Sequence, residues 1–186
     1  MAAAHMCRCC WRKCDDAAWS SGVTDPVSVL HVRARETRYT AGVDENTFER
    51  HVGRLIEIRH GKGFETVADI EQMQRAAGHV LSTLPAEMRV VTVADWRMTT
   101  IMGPEAAERA VEMLLRANPH TERSAMLYSE RSPTAVMQFV RLLRDSQHPD
   151  RRMFSDPLQL AYWLDEVLDD EESKRLRVFL GIGAGS

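Results

Sequence analysis

Short apolar runs alternate with helical patterns through the central part of this chain. Three runs are too short for helices and are predicted strands, at residues 89–94, 125–128 and 152–154. Each is followed by a segment with apolar residues at three- and four-residue spacing. This alternation predicts an α/β domain in which helices cover a mostly parallel sheet.

Proline marks the start of three predicted helices. The dipeptides Gly103-Pro104, Ser132-Pro133 and Asp156-Pro157 each place proline at a first helical position. Thr66 and Asp69 resemble a capping box for an earlier helix over residues 67–84. The apolar stripes predicted to face the core after the three prolines are Ala107, Ala110, Val111, Leu114 and Leu115; Val136, Phe139, Val140 and Leu143; and Leu160, Ala161, Leu164 and Leu168.

The remaining segments complete the predicted domain and its tails. A short run ending at Val43, a turn at residues 44–46 and a run at 54–59 predict two antiparallel edge strands. Residues 1–36 lack a sustained period and are expected to be a disordered or mis-started tail. Residues 169–186, charged and then glycine-rich, are expected to be a solvated helix end and flexible terminus. The prediction is one domain over residues 37–168, with a mixed, mostly parallel five-stranded sheet and about four helices.

Composition indicates an ordinary soluble domain. The chain has 186 residues, 44% hydrophobic and 27% charged, which is enough apolar material for one packed core. A net charge of −3 provides no strong positive field, so nucleic-acid binding is not predicted. No apolar run is long enough to cross a bilayer, and no secretory signal is recognisable, so a cytoplasmic location is expected.

All four cysteines lie near the start of the chain, at Cys7, Cys9, Cys10 and Cys14. Their thiolates could bind a soft metal such as zinc or copper(I). Structural zinc sites, however, usually separate two ligand pairs by a loop, and these cysteines share one short segment. The alternative is that they belong to the tail. No cofactor is predicted.

The last predicted strand and helix carry Phe154, Asp156, Ala161, Trp163 and Leu164. With the order strand, strand, helix and three further strand–helix units, this ending resembles the SpoIIAA-like family. That family includes the STAS domains of anti-sigma-factor antagonists and the SEC14-like lipid binders. The resemblance covers about residues 39–168. It implies a non-catalytic regulatory or signalling module that binds a protein partner, with residues 95–115 as the contact face.

The switch typical of this family is a phosphorylatable serine where the helix after the central strand begins. Residues 101–106 occupy that place and contain no serine. Thr99 and Thr100 lie just upstream and are the candidate phosphorylation sites, since a helix N-terminus favours an anion. The alternative is that both are loop threonines that hydrogen-bond their own backbone.

Candidate ligand-binding residues follow the predicted strands. His60, Lys62, Asp95, Arg97 and Arg131 should meet at the carboxyl edge of the sheet, where ligands gather in parallel sheets. The three cations could form a rim for a small anionic ligand or a lipid head group. The alternative is ordinary turn residues with solvated basic side chains.

His60 and Asp95 could also act as a general base and its orienting acid. No sequence motif supplies a nucleophile, so an enzyme is the third hypothesis, after a protein-binding module and a ligand-binding domain. In the alternative interpretation, Asp95 caps the loop that follows it.

Overall fold

The computed structural model describes residues 46–61 and 63–183, which form five strands and five α-helices. The strands are β1 (Thr47–Arg50), β2 (Leu55–Arg59), β3 (Val90–Asp95), β4 (Thr121–Leu127) and β5 (Arg151–Phe154). The helices are α1 (Val67–Leu81), α2 (Pro104–Ala117), α3 (Pro133–Asp145), α4 (Pro157–Asp165) and α5 (Asp170–Leu180), with a 3-10 turn at Asn118–His120. The predicted α/β class is confirmed.

The five strands form one sheet in the order β1-β2-β3-β4-β5. β1 pairs antiparallel with β2, whereas the other three pairs are parallel, so the predicted mixed, mostly parallel sheet is confirmed. β1 is an edge strand as expected, but β2 is an inner strand because its other side pairs with β3. The described edge strand begins at Thr47, after the predicted turn. The predicted run ending at Val43 lies outside the described residues.

The predicted helix starts are confirmed. Thr66 and Asp69 form the capping box of α1, which ends at Leu81 rather than residue 84. α4 begins at Pro157, and the Asp156 carboxylate accepts a hydrogen bond from the Leu158 N–H at 2.8 Å. The starts of α2 and α3 use proline at the first position without a side-chain cap.

Helices cover both faces of the sheet. On one face α4 and α5 pack on β2, β3 and β4 through buried residues Leu55, Val91, Val93, Ala125, Leu127, Leu160, Leu164, Leu176 and Phe179. The second face packs on α1, α2 and α3 through a cluster that includes Ile70, Met73, Ala94, Ala106, Ala110, Met126, Phe139 and Leu142. The central strand β3 is therefore apolar on both sides, as its sequence predicts.

Two of the predicted apolar stripes are partly wrong. In α2 the buried residues are Ala106 and Ala110, while Leu115 is exposed. In α3 the residues Ala135, Phe139 and Leu142 are buried, whereas Val140 is exposed. Both helices place small alanines inward, and small side chains permit close packing that periodicity alone does not reveal.

The charged segment after α4 is a packed helix rather than a tail, which corrects the prediction for residues 169–180 and raises the helix count of the described residues to five; residues 184–186 lie outside the described residues. Its acidic start is a capping box, in which Asp169 and Glu172 satisfy each other's backbone N–H groups. Its Leu176 and Phe179 are buried against the sheet. The charged residues of α5 are a poor guide to exposure, because Glu172 is itself buried and Arg175 pairs with the buried Glu57.

Candidate functional site

The carboxyl ends of β2 and β3 place an aromatic cluster at one edge of the sheet. The ring centroid of His60, directly after β2, is 4.2 Å from that of Phe64 and 5.0 Å from that of Trp96. Trp96 directly follows β3 and lies 4.8 Å from Phe139 of α3. We call His60, Phe64, Trp96 and Phe139 the aromatic cluster; all four side chains are buried.

Several polar atoms in and beside the aromatic cluster have no hydrogen-bond partner among the described residues. They are both ring nitrogens of His60, the indole Nε1 of Trp96 and the hydroxyl of Thr99, all of them buried. Burial lowers the pKa of His60 from 6.5 to about 3, although the negative charge of Asp95 opposes this effect. His60 is therefore neutral near pH 7.

His60 and Asp95 do not form an acid–base pair. No hydrogen bond joins them, because the Asp95 carboxylate instead accepts bonds from Arg97 Nε at 2.9 Å and Nη2 at 2.7 Å. The Arg97 backbone N–H also donates to Asp95, at 3.2 Å, so Asp95 caps the loop as the alternative interpretation predicted. Burial would raise the pKa of Asp95, but the hydrogen bonds and charge of Arg97 outweigh it and lower that pKa.

Two of the predicted cations lie beside one depression at the carboxyl edge. It has a volume of about 560 Å³ and is lined by Arg97, Tyr128, Ser129, Glu130, Arg131 and Ser155. The charge of Arg97 is balanced by Asp95, and Glu130 lies in the rim beside Arg131, so the rim has little net positive charge. Lys62, the third predicted cation, lies outside the described residues.

The two candidate phosphorylation sites have different surroundings. Thr99 is buried, whereas Thr100 is exposed and its hydroxyl donates to Glu65 Oε1 at 3.2 Å. The backbone here is crowded: Gly63 has φ +84°, and a Cβ on it would lie 3.3 Å from the Thr100 nitrogen. The Thr100 hydroxyl is therefore accessible at the surface, whereas the Thr99 hydroxyl is not.

The loop between β3 and α2, residues 96–103, exposes apolar side chains that the sequence analysis did not single out. Met98 is 71% exposed and Ile101 is 51% exposed. The side chain of Gln138 in α3 makes two hydrogen bonds to the backbone of Met102: it accepts from the N–H at 2.8 Å and donates to the carbonyl at 2.9 Å. This contact brings the loop to α3, where Met137 is 70% exposed. The sequence places four large apolar residues in this loop, Trp96, Met98, Ile101 and Met102, and does not distinguish the exposed pair from the buried pair.

Metal binding receives no support from the part of the chain that the structure describes. There, no group of three or more histidine, cysteine, aspartate or glutamate side chains is arranged to hold a metal ion. Cys7, Cys9, Cys10 and Cys14 lie outside the described residues. Within those residues, no helix has both the length and the apolar character needed to cross a membrane.

Comparison with solved structures gives a likeness of fold. No protein-family model matches the sequence, and no curated protein matches it. Among solved structures, the chain is similar to an uncharacterised protein of the DUF3478 family with a SpoIIAA-like fold from Shewanella loihica. The two are 17% identical, with 64% of this chain and 91% of that chain covered and a TM-score of 0.49. At this identity and TM-score, the likeness carries no argument about the family or the function of this chain.

Proposed function

We propose that this protein is a non-catalytic regulatory module of the cytoplasm that binds a protein partner through the 96–103 loop and the adjoining surface of α3. The observation that carries this proposal is the exposure of Met98 and Ile101 on a loop held in place by Gln138. Single exposed apolar residues are common on protein surfaces. Two in one fixed loop, with Met137 exposed on the adjoining helix, are typical of a contact surface.

The loop is ordered in its present conformation, which favours binding. Besides the Gln138 contact, the Thr99 N–H donates to the Trp96 carbonyl at 3.0 Å and the Gly103 N–H donates to the Glu65 carbonyl at 3.2 Å. A partner would therefore lose little free energy in ordering the loop. The flexible thioether of Met98 can adapt to an apolar pocket on that partner.

The same geometry supports a non-catalytic role. His60 is sealed among aromatic rings, and Asp95 is held by Arg97, so neither is presented to a substrate. Regulation would act through Thr100, whose hydroxyl already contacts Glu65. A phosphate there would be repelled by the Glu65 carboxylate and would change the loop that carries Met98 and Ile101.

The test is a pull-down from cells that naturally express the protein, with the wild type and two double variants as bait. Met98→Ser with Ile101→Ser alters the proposed surface. Leu158→Ser with Tyr162→Ser is the matched control, because it removes exposed apolar side chains from α4 instead. We expect a protein that the wild type and control retain and the loop variant loses at least tenfold. Equal recovery by all three baits, or no specific recovery by the wild type, would contradict the proposal.

A second candidate function is binding of a small anionic ligand or lipid head group in the depression at the carboxyl edge. The observation that favours it is the placement of Arg97 and Arg131 around about 560 Å³ of space. Sedimentation with anionic and neutral vesicles tests it, comparing the wild type with Arg131→Gln. Binding to anionic vesicles that the substitution abolishes would favour this function over protein binding.

A further inference from the structure

The opposite, amino edge of the sheet contains a buried cation without a counter-charge among the described residues. Arg151 is the first residue of β5 and is only 7% exposed. Its Nη1 donates to the side-chain oxygen of Asn118 at 3.2 Å. Its Nε is buried and, within residues 46–61 and 63–183, has no hydrogen-bond partner. No described carboxylate forms an ion pair with Arg151.

The unused side of this guanidinium is the one that binds oxyanions elsewhere in the protein. Arg97 uses Nε and Nη2 to hold Asp95, at 2.9 and 2.7 Å. Arg175 uses the same two nitrogens to hold Glu57, at 2.5 Å each. Two parallel N–H groups match the two oxygens of a carboxylate or phosphate. In Arg151 the bond to Asn118 uses Nη1, and Nε and Nη2 have no hydrogen-bond partner among the described residues.

Neighbouring side chains add to the positive field around Arg151. Arg89 donates from Nη2 to the Thr121 carbonyl at 2.6 Å, and His148 Nε2 lies 3.2 Å from the same oxygen. Burial lowers the pKa of His148, and the positive charge of Arg151 lowers it further. The hydrogen bond to Thr121 raises that pKa, and the weaker effects of Asp150, which raises it, and Arg89, which lowers it, oppose each other. The groups that act on His148 therefore comprise two arginines and one carboxylate, a net positive set.

The ring of His148 is fixed by its own hydrogen bonds. Its Nδ1 accepts from the Asp150 N–H at 3.2 Å, so the ring proton belongs on Nε2, facing the Thr121 carbonyl. The ring of His148 is therefore fixed in orientation, and the positive charge at this edge comes from Arg89 and Arg151.

Physical chemistry makes an unpaired buried guanidinium costly. Burial lowers the pKa of Arg151 to about 10, so the group remains charged near pH 7. A buried charge is normally paired, because leaving it alone forfeits hydration without electrostatic compensation. An anion bound beside Nε and Nη2 would supply that compensation.

We propose that Arg151, with Arg89 beside it, forms a binding site for a phosphate group at the amino edge of the sheet. Two arginines favour a doubly charged oxyanion over a singly charged carboxylate. The site lies at the opposite end of the strands from the depression near Arg131 and does not depend on the proposed protein-binding loop.

The test is thermal unfolding of the full chain in increasing inorganic phosphate, with sodium chloride at matched ionic strength as the reference. We expect a rise in Tm of about 3 °C or more at ten times the dissociation constant, which continues to grow with the logarithm of the phosphate concentration. Glycerol phosphate in place of inorganic phosphate shows whether the site also accepts a phosphate carried by an organic molecule. Isothermal titration with inorganic phosphate provides the affinity directly.

Three variants locate the site. Arg151→Gln should abolish the phosphate-dependent rise, and Arg151→Lys, which keeps the charge but loses the fork, should weaken phosphate affinity about tenfold. Arg141→Gln, which removes an exposed cation from α3, is the matched control and should behave as the wild type. The proposal is overturned if chloride reproduces the Tm rise, if phosphate produces none in the wild type, or if both Arg151 variants retain the wild-type response.

Discussion

Two regions of the described structure bury polar side chains but differ in whether those side chains have hydrogen-bond partners. Beneath α5, Glu57 and Glu172 are both 2% exposed and fully engaged: Glu57 takes two bonds from Arg175, and Glu172 accepts from the backbone N–H groups of Arg54 and Asp169. At the carboxyl edge, His60 and the Thr99 hydroxyl are just as enclosed but have no partner among the described residues.

Buried polar groups with hydrogen-bond partners help to specify the fold, whereas those without partners do not. A buried network with every member bonded orients the element that carries it, here α5 on β2. An unpaired buried polar group only costs stability. The carboxyl edge therefore keeps hydrogen-bonding capacity beside the 96–103 loop, where partner binding is proposed.

The largest expected effect on the free energy of unfolding is at the buried, hydrogen-bonded carboxylates of Glu57 and Glu172. Glu172→Ala removes an acceptor from two backbone N–H groups and a buried partner from Arg54, so it should lower the free energy of unfolding by about 3 kcal/mol. Urea denaturation followed by circular dichroism measures the change. The matched control is Glu171→Ala, whose side chain is exposed and pairs only with Lys174; it should cost under about 0.5 kcal/mol. Similar losses in both variants would remove the distinction.

The next largest effect is a pH dependence of the free energy of unfolding, caused by His60 at the carboxyl edge. Because the pKa of His60 is about 3 in the folded protein and 6.5 when unfolded, the unfolded state alone binds a proton between these values. Stability from this group is complete above pH 6.5 and falls by about 1.4 kcal/mol per unit as the pH drops below it. Urea midpoints from pH 7.5 to 4.5 measure the slope.

The variant His60→Leu should flatten this dependence, whereas His79→Gln, an exposed histidine of α1, should keep the wild-type slope. The comparison between the two variants is needed because carboxylates also titrate in this range. Identical slopes for the wild type and His60→Leu would mean that the ring is not held neutral.

The smallest expected effect is a change in stability that differs in direction between two threonine-to-valine substitutions. Thr99→Val replaces an unpartnered buried hydroxyl with a methyl group of the same shape, so stability should stay unchanged or rise by up to about 1 kcal/mol. Thr92→Val breaks the bond from the Thr92 hydroxyl to Ser124, at 2.9 Å, and should lower stability by about 1 kcal/mol. Thermal unfolding of both variants tests this. A loss at Thr99 as large as at Thr92 would show that its hydroxyl is bonded after all.

Much of the fold was predictable because it depends on local signals. Proline at the first helical position, the capping box at Thr66 and the aspartate cap at Asp156 act within one helical turn, so they can be recognised without knowing what packs nearby. The helix α5 was missed for the opposite reason. Arg175 looks solvated until Glu57, 118 residues away, is known to face it.

The candidate site was predictable in position but not in chemistry. Parallel strands share a carboxyl edge, so the placement of His60, Asp95, Arg97 and Arg131 there followed from strand order. Whether each side chain is free depends on its neighbours: Arg97 folds back on Asp95, and the rings of Phe64 and Trp96, in the loops after β2 and β3, pack against His60. The contact between His60 and Trp96 joins the ends of two strands that are far apart in the chain, so the sequence alone does not reveal it.

The sequence by itself determined the element types, the helix starts and the mostly parallel sheet, because hydrophobic periodicity and capping are local properties of a chain. Only the tertiary structure decided which polar groups have partners. Pairing requires two side chains, often distant in sequence, to meet at hydrogen-bond distance after folding. The same reason explains why Arg151, an ordinary arginine in the sequence, becomes a buried cation whose Nε has no hydrogen-bond partner among the described residues.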